Sequence, residues 1–303
     1  MTAATPSPCS VAALTVLYGN SPAAVARTVE AFDNAARVAT EAGLLESLVL
    51  AFGDATPQPA LSPDQVARLR ESTTHIEVTY EFFDENTGTS RGQNRLARST
   101  ESDHVLICNP DVVPEGQALR RLLEVLADPT VGLVEAKQQP IEHPKDFNPD
   151  TGDTSWGSGA FSLVRRSSFE RIGGFDEDTF FLYCDDVDLS WRLREAGHRI
   201  VNQPAAVVFH DKDLSPEGGW VPTEAELYFS AEAALLLAHK WSRDDVLDHT
   251  LDVLGASAEE AHQRAVAEFR NRLGSGSLAD RRDEDHAVAQ FVDGNYAPHR
   301  FAL

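Results

Sequence analysis

VAALTVLYGNSPAAVARTVEAFDNAARVATEAGLLESLVLAFGD, residues 11–54, carries the pattern that decides the fold. Val11 to Tyr18 is a continuous apolar run and reads as a buried strand. Asn20-Ser21-Pro22 then opens a helix, a capping residue followed by Pro in the first turn. Val25, Val29, Phe32 and Ala36 give that helix an apolar face, and Gly43 stops it. Ser47 to Phe52 is a second apolar strand. The rhythm continues downstream. Ser62-Pro63-Asp64-Gln65 is a capping-box pattern ahead of a short helix with Val66 and Leu69 inward. Ile76 to Phe82 reads as a strand, Arg91 to Thr100 as a helix and His104 to Cys108 as a fourth strand. Alternation of this kind predicts a parallel, doubly wound sheet.

Beyond residue 112 the pattern loosens. Gln117 to Ala127 reads as a helix ended by Asp128-Pro129, and Val131 to Ala136 as a strand. Lys137 to Ser155 is polar and rich in Pro and Gly, which predicts a surface loop. Gly159 to Val164 reads as a strand and Ser167 to Ile172 as a short helix, with Gly173-Gly174 turning the chain. Asp185 to Ala196 reads as a helix closed by Gly197; Arg199 to Val201 and Ala206 to Phe209 are strand-like. After Asp211 the chain turns helical. Thr223 to Glu226 forms a capping box ahead of Leu227 to Trp241, and Ser242 to Asp245 and Ser257 to Glu260 look like further helix starts. Gly274-Ser275-Gly276-Ser277 reads as a flexible joint before a charged tail.

The chain has 303 residues, 48 acidic and 26 basic, for a formal charge of −22. At ~150 residues per domain, that length predicts about two domains, or one large α/β domain with additions. The negative balance argues against nucleic acid as a partner, since phosphate contacts need a basic face. It also disfavours anionic lipid. Three cysteines, Cys9, Cys108 and Cys184, suggest neither a disulfide frame nor a zinc site. Met1 to Ser10 lacks the charge and apolar core of a signal peptide, and the longest apolar run, Ala231 to Ala238, is too short to span a bilayer. A cytoplasmic protein without a transmembrane segment is expected.

In open α/β sheets, ligands bind beyond the carboxyl ends of the strands. Those ends are Tyr18-Gly19-Asn20, Gly53-Asp54, the region of Asp84 and Asn86, and Asn109-Pro110-Asp111. Each residue alone reads equally as a turn former; together they lean towards a site. No G-x-G-x-x-G follows the first strand and no G-x-x-x-x-G-K-[ST] exists, so a phosphorylated ligand needs another counter-charge. A divalent cation held by carboxylates would supply it. A second cluster, Asp185, Asp186 and Asp188, sits at a helix start flanked by Phe180, Phe181 and Tyr183. Acids there satisfy the helix dipole, or take a proton beside apolar surface. His210 reads as a packed or surface histidine, or as a ligand beside an aspartate-held metal.

The order of these residues carries a resemblance. Leu14 to Asn20 is followed by Gly53-Asp54, by Asn86-Thr87-Gly88 with Gly92-Gln93-Asn94, and by Asn109-Pro110-Asp111-Val112, similar to a D-x-D element. Next come Gly157-Ser158-Gly159-Ala160 before Arg165-Arg166, then Gly173-Gly174-Phe175-Asp176-Glu177. Asp185-Asp186-Val187-Asp188-Leu189 with Arg192 and Gly197, similar to an E-D-x-D-L-x-x-R helix, precedes His210. The ordered set resembles the family-2 inverting glycosyltransferases of GT-A fold, including rhamnosyltransferase-like members, over roughly Val11 to His210. The resemblance implies an α/β fold: a Rossmann-like, mixed, mostly parallel sheet flanked by helices; the C-terminal helical extension, read from the capping boxes after Asp211, lies outside it.

The resemblance gives a GT-A domain (11–215, with a nucleotide-binding half 11–112 and an acceptor and catalytic half 113–215); the residues outside it read as a flexible N-terminus (1–10), a helical region (216–273) and a flexible or loosely packed tail (274–303). The resemblance implies that Asp54 contacts the nucleobase and that Asn86 and Asn94 shape the donor pocket. Tyr18, Asn20, Gly88 and Asn109 complete the donor side. Asp111 and His210 would bind Mg²⁺ or Mn²⁺ carrying the donor diphosphate. Asp186 would be the catalytic base, with Asp185 sharing its motif and Asp188 an alternative base. Trp156 and Gly159 would lie in the acceptor and sugar region. The implied substrates are a nucleotide-sugar donor, UDP- or dTDP-linked, and a hydroxyl acceptor: a glycan precursor, a lipid-linked acceptor or a secondary metabolite. The C-terminal helices would cap the acceptor side or make a homodimer contact. Two positions depart from the family pattern, Asn109 for the first acid of D-x-D and Asp185 for Glu. These departures give a catalytically weak, binding-only GT-A module as the alternative; a two-carboxylate glycoside hydrolase is a third reading.

Overall fold

A computed structural model describes residues 7–140, 142, 146–211 and 222–296. Its elements in chain order are β1 (Cys9–Leu17), α1 (Pro22–Glu41), β2 (Leu45–Asp54), α2 (Pro63–Glu71), β3 (Glu77–Phe82), α3 (Gly88–Arg98), β4 (His104–Cys108), β5 (Val112–Pro114), α4 (Ala118–Leu126), β6 (Val131–Gln139), β7 (Phe161–Arg165), α5 (Arg166–Arg171), α6 (Asp185–Glu195), β8 (Arg199–His210), α7 (Glu224–Lys240), α8 (Asp244–Gly255) and α9 (Glu260–Ser275). The strands form one sheet in the order β3-β2-β1-β4-β7-β6-β8-β5. β3, β2, β1 and β4 are parallel, as are β6 and β8, whereas β7 runs against both its neighbours and β5 against β8. The expected mixed, mostly parallel sheet is the one observed.

The opening unit forms for local reasons visible in its residues. Ser21 caps α1, its side chain accepting the Ala24 N–H, and Pro22 occupies the first turn. The Ser62 and Thr223 capping boxes both form, at the starts of α2 and α7. Alternate residues of β1 supply both faces of the sheet. Val11, Ala13 and Leu17 pack with α1, α2 and α4, while Ala12, Leu14 and Val16 pack with α3, α5 and α6. A third apolar cluster joins α7, α8 and α9 to Trp156, Val187 and Trp191. No helix among the described residues is long and apolar enough to cross a membrane.

Several expectations are corrected. Cys9 and Ser10 belong to β1 instead of a flexible N-terminus; residues 1–6 lie outside the described residues. Lys137, Gln138 and Gln139 continue β6 where a loop was expected, because β8 is present to pair with them. The two strand-like pieces after Arg199 are one strand. Its register against β6 jumps from Gln203 to Val207, a bulge around Pro204, which has no N–H to give a ladder. Gly274 and Ser275 are the last turn of α9, and Gly276 closes it in the left-handed region. The tail expected to be loosely packed lies on the third cluster through Tyr296: Ala289 and Tyr296 are buried there. Residues 297–303 lie outside the described residues.

Candidate active site

The β8 bulge restores a two-residue period that turns Ala206, Val208 and His210 inward while leaving Phe209 exposed. β5 pairs antiparallel with β8, setting Val112 opposite His210, and Asp211 N–H donates to the Asp111 carbonyl at 2.8 Å. Asp111 thereby reaches His210, with Oδ2 3.2 Å from Nε2. The ring's other nitrogen, Nδ1, lies 2.8 Å from Gln138 Oε1.

Facing this pair is the start of α6. Tyr183 and Cys184, neither of them glycine, both have positive φ, +67° and +55°. Two successive left-handed residues store about 1–3 kcal/mol each and are held only by their surroundings. The backbone they re-aim presents Asp185 and Asp186 to one cavity of about 130 Å³. Its lining also includes Asn109, Gly159, Gln138, His210 and Tyr183. Asp186 Oδ2 accepts the Gly159 N–H at 2.8 Å and Oδ1 the Val187 N–H at 2.8 Å. A carboxylate has about four acceptor sites, so each oxygen keeps a lone pair for a hydroxyl. A Cβ on Gly159 would stand 3.3 Å from that of Asp186, a tight approach that glycine avoids. Asp185 Oδ2 accepts from the Thr89 and Ser90 hydroxyls at 2.6 and 3.1 Å. Burial, with the neighbouring Asp186 charge, pushes its carboxyl up to about 6.

Other residues take different places. Asp188, the alternative base, is fully buried away from this cavity, within an ion network: Arg192 Nε at 2.6 Å on one oxygen, Lys240 Nζ at 2.6 Å and Trp241 Nε1 at 3.1 Å on the other. It lies one helical step from the cleft acids, and that step turns it into the core. Trp156, expected by the acceptor, is buried in the helical cluster, donating to the Tyr296 carbonyl at 3.2 Å. Asp54, expected at the nucleobase, is fully buried and binds its own loop. It accepts the Thr56 and Ala60 N–H groups at 3.0 and 2.6 Å, and the Thr56 and Tyr80 hydroxyls. Asn94, expected to shape the donor pocket, clasps the backbone of Phe175 through both ends of its amide, and Phe175 lines the cavity. Asn20 and Asn86 accept from the Tyr18 and Gly88 N–H groups two residues away, both local turns. The Tyr18 side chain is exposed. Gly88 is required where it stands: φ is +63°, and a Cβ would meet the Phe181 carbonyl at 2.2 Å.

The sequence reading missed Thr89, Ser90, Gln138 and Lys240. Gln138 carried a usable signal, an amide at a strand's carboxyl end like Asn109. Lys240 carried none, because its partners lie 52 and 64 residues earlier in the chain.

Among the described residues, no group of three or more His, Cys, Asp or Glu converges on a metal position. The Asp111–His210 pair fits two ligands of one ion, however. Adjacent ligands of an octahedral ion at about 2.1 Å are about 3 Å apart, close to the separation here. The carboxylate oxygen suits Mn²⁺ or Mg²⁺, with diphosphate oxygens able to complete the shell, and the imidazole nitrogen favours Mn²⁺ over the harder, oxygen-demanding Mg²⁺.

Comparison with known proteins gives the family and the fold. Residues 64–221, just over half of the chain, match the family model described as "Glycosyltransferase like family 2". An N-acetylglucosaminyl-diphospho-decaprenol L-rhamnosyltransferase of Mycobacterium tuberculosis is 48% identical over 66 residues, 22% of this chain and 21% of the relative. The O-antigen chain rhamnosyltransferase WbaN of Salmonella anatum is 27% identical over 195 residues, 55% of this chain and 61% of the relative. The chain thus matches about a fifth of the first relative's length and less than two thirds of the second's. A mannosyltransferase of Pyrobaculum calidifontis, solved with GDP-Man and Mn²⁺, superposes with a TM-score of 0.58 at 18% identity, covering 93% of this chain and 79% of that one. That likeness establishes a shared GT-A fold.

Proposed function

This chain belongs to glycosyltransferase family 2, and from that premise we propose that it is a metal-dependent inverting glycosyltransferase. It moves a sugar from a nucleoside-diphosphate sugar to an acceptor hydroxyl by direct displacement. The observation that carries the reading is one cavity lined by Asp186 and His210, with Asp111 against His210. Asp186 is the base. Gly159 and Val187 N–H groups hold its carboxylate in place, and it takes the proton from the acceptor hydroxyl as the new glycosidic bond forms. Asp111 and His210 would hold Mg²⁺ or Mn²⁺, and Asn109 lines the same cavity as His210. The ion's contribution is positive charge for the departing diphosphate, which a chain of net −22 does not readily supply from Lys or Arg. Asp185 organises the start of α6 through Thr89 and Ser90.

The relatives' names support a rhamnosyl or related hexosyl donor, and we take it as UDP- or dTDP-linked. Of the acceptor classes, a lipid-linked sugar diphosphate is the one nearest to a relative's name.

The experiment is a thermal-shift screen with UDP, dTDP, GDP and CDP, each with and without Mn²⁺, followed by donor-consumption assays with the matching sugars. Occupancy at 100 times the dissociation constant raises stability by about 2.7 kcal/mol. A metal-dependent shift for one nucleotide together with turnover supports the transferase. Binding without turnover selects the binding-only module, and no shift with any pair rejects both.

A further inference from the structure

We propose that Gln138 is a positioning residue that fixes the tautomer of His210 and so keeps Nε2 available as a metal ligand; this rests on the metal-dependent reading above. Both side chains are buried, His210 4% and Gln138 5% exposed, so neither can exchange its partner freely for water. The amide oxygen of Gln138 faces Nδ1 at 2.8 Å. An amide oxygen can only accept, so Nδ1 carries the proton, and in the neutral ring Nε2 is left with its lone pair.

That lone pair stands 3.2 Å from Asp111 Oδ2, another acceptor. Two acceptors facing each other at that distance are reconciled by a second proton on the ring or by a metal ion, and a bound metal ion takes that proton's place. In the opposite tautomer Nε2–H would donate to Asp111, and one hydrogen bond would occupy both metal ligands. The backbone makes the choice dependable. Gln138 pairs with Val208 in the parallel β6–β8 ladder, placing the amide two residues from His210 along the neighbouring strand. A hydrogen-bond partner on the far nitrogen typically changes metal affinity by about 10–100-fold when removed.

The test uses the full chain in two measurements. Long-range ¹⁵N NMR on histidine-labelled, metal-free protein at a pH where the ring is neutral reads the tautomer directly. His210 should show the Nδ1–H pattern, and an Nε2–H pattern in the wild type overturns the proposal without touching the transferase reading. The second measurement follows free Mn²⁺ by electron paramagnetic resonance in the presence of UDP or dTDP. Gln138→Leu should weaken Mn²⁺ retention about 10–100-fold, with the metal-free melting temperature little changed. Gln138→Glu, which keeps an acceptor on Nδ1, should restore retention. Wild-type retention in Gln138→Leu, alongside loss in His210→Ala, overturns the role of Gln138. No Mn²⁺ retention by the wild type with either nucleotide overturns the metal reading itself, and this inference with it.

Discussion

Asp185 and Asp186 are neighbours in the chain with opposite surroundings. Asp186 keeps acceptor capacity towards the cavity, whereas Asp185 is buried against two hydroxyls. Asp186→Asn keeps the shape and removes the base. Turnover should fall by ~10²–10⁴-fold while the metal-dependent nucleotide shift survives; steady-state rates beside thermal shifts check both. Asp185 gives a pH prediction. Its carboxyl is raised from 3.8 to about 6, so between those values the folded chain binds the extra proton. Stability therefore falls as pH rises through that window. The penalty is absent below the unfolded value and complete above about pH 6. Relative to Asp185→Asn, the wild type should lose stability between pH 4 and pH 7; paired urea melts at the two pH values measure it, and a flat difference contradicts the burial.

At the scale of elements, the start of α6 is held from three sides. Lys240, at the end of α7, places Nζ 2.6 Å from both Asp176 and Asp188. Arg192 binds Asp188 and reaches the carbonyls of Ile172 and Gly174. Burial raises the Asp176 carboxyl, but the Lys240 ammonium outweighs it and the result lies below the ordinary value. Two cations and two anions balance here, so the cost of removing one falls on the charges left behind. Lys240→Met should destabilise by about 3–5 kcal/mol, read from the urea midpoint; Lys240→Met with Asp188→Asn should recover part of that loss. Gly88 closes the opposite side. Gly88→Ala meets the Phe181 carbonyl and a positive φ together, and should lower the melting temperature more than an exposed substitution such as Gly197→Ala, which shares the positive φ but meets no neighbour within 4 Å.

For the whole molecule, the C-terminal third is joined to the sheet by packing as well as by charge. Trp191 meets Trp241 edge-to-face and Phe291 at a tilt, with ring centres 5.3 and 5.1 Å apart, and Trp156 meets Tyr296 edge-to-face at 5.5 Å. Arg194 binds the Val288 carbonyl, and Arg282 N–H the Lys240 carbonyl. Truncation after Gly276 should expose Trp156 and Trp191, red-shift the tryptophan emission and lower the melting temperature; an unchanged spectrum and midpoint would falsify the packing role. The first half of the chain was legible in its residues because its signals are local: a cap, an apolar period, a Gly stop. So was the placing of Asp111, Asp186 and His210, each at or beside the end of an element. What the sequence could not determine depended on distant partners. Gln138 joined the sheet because β8 lay beside it, and Asp54 turned inward because Thr56, Ala60 and Tyr80 surround it. Trp156 and Asp188 became core residues because the C-terminal helices cover them. Hydrophobic period and capping act over a few residues and are written in the chain; burial and ion pairing act between segments tens to hundreds of residues apart, and only the tertiary structure brings those together.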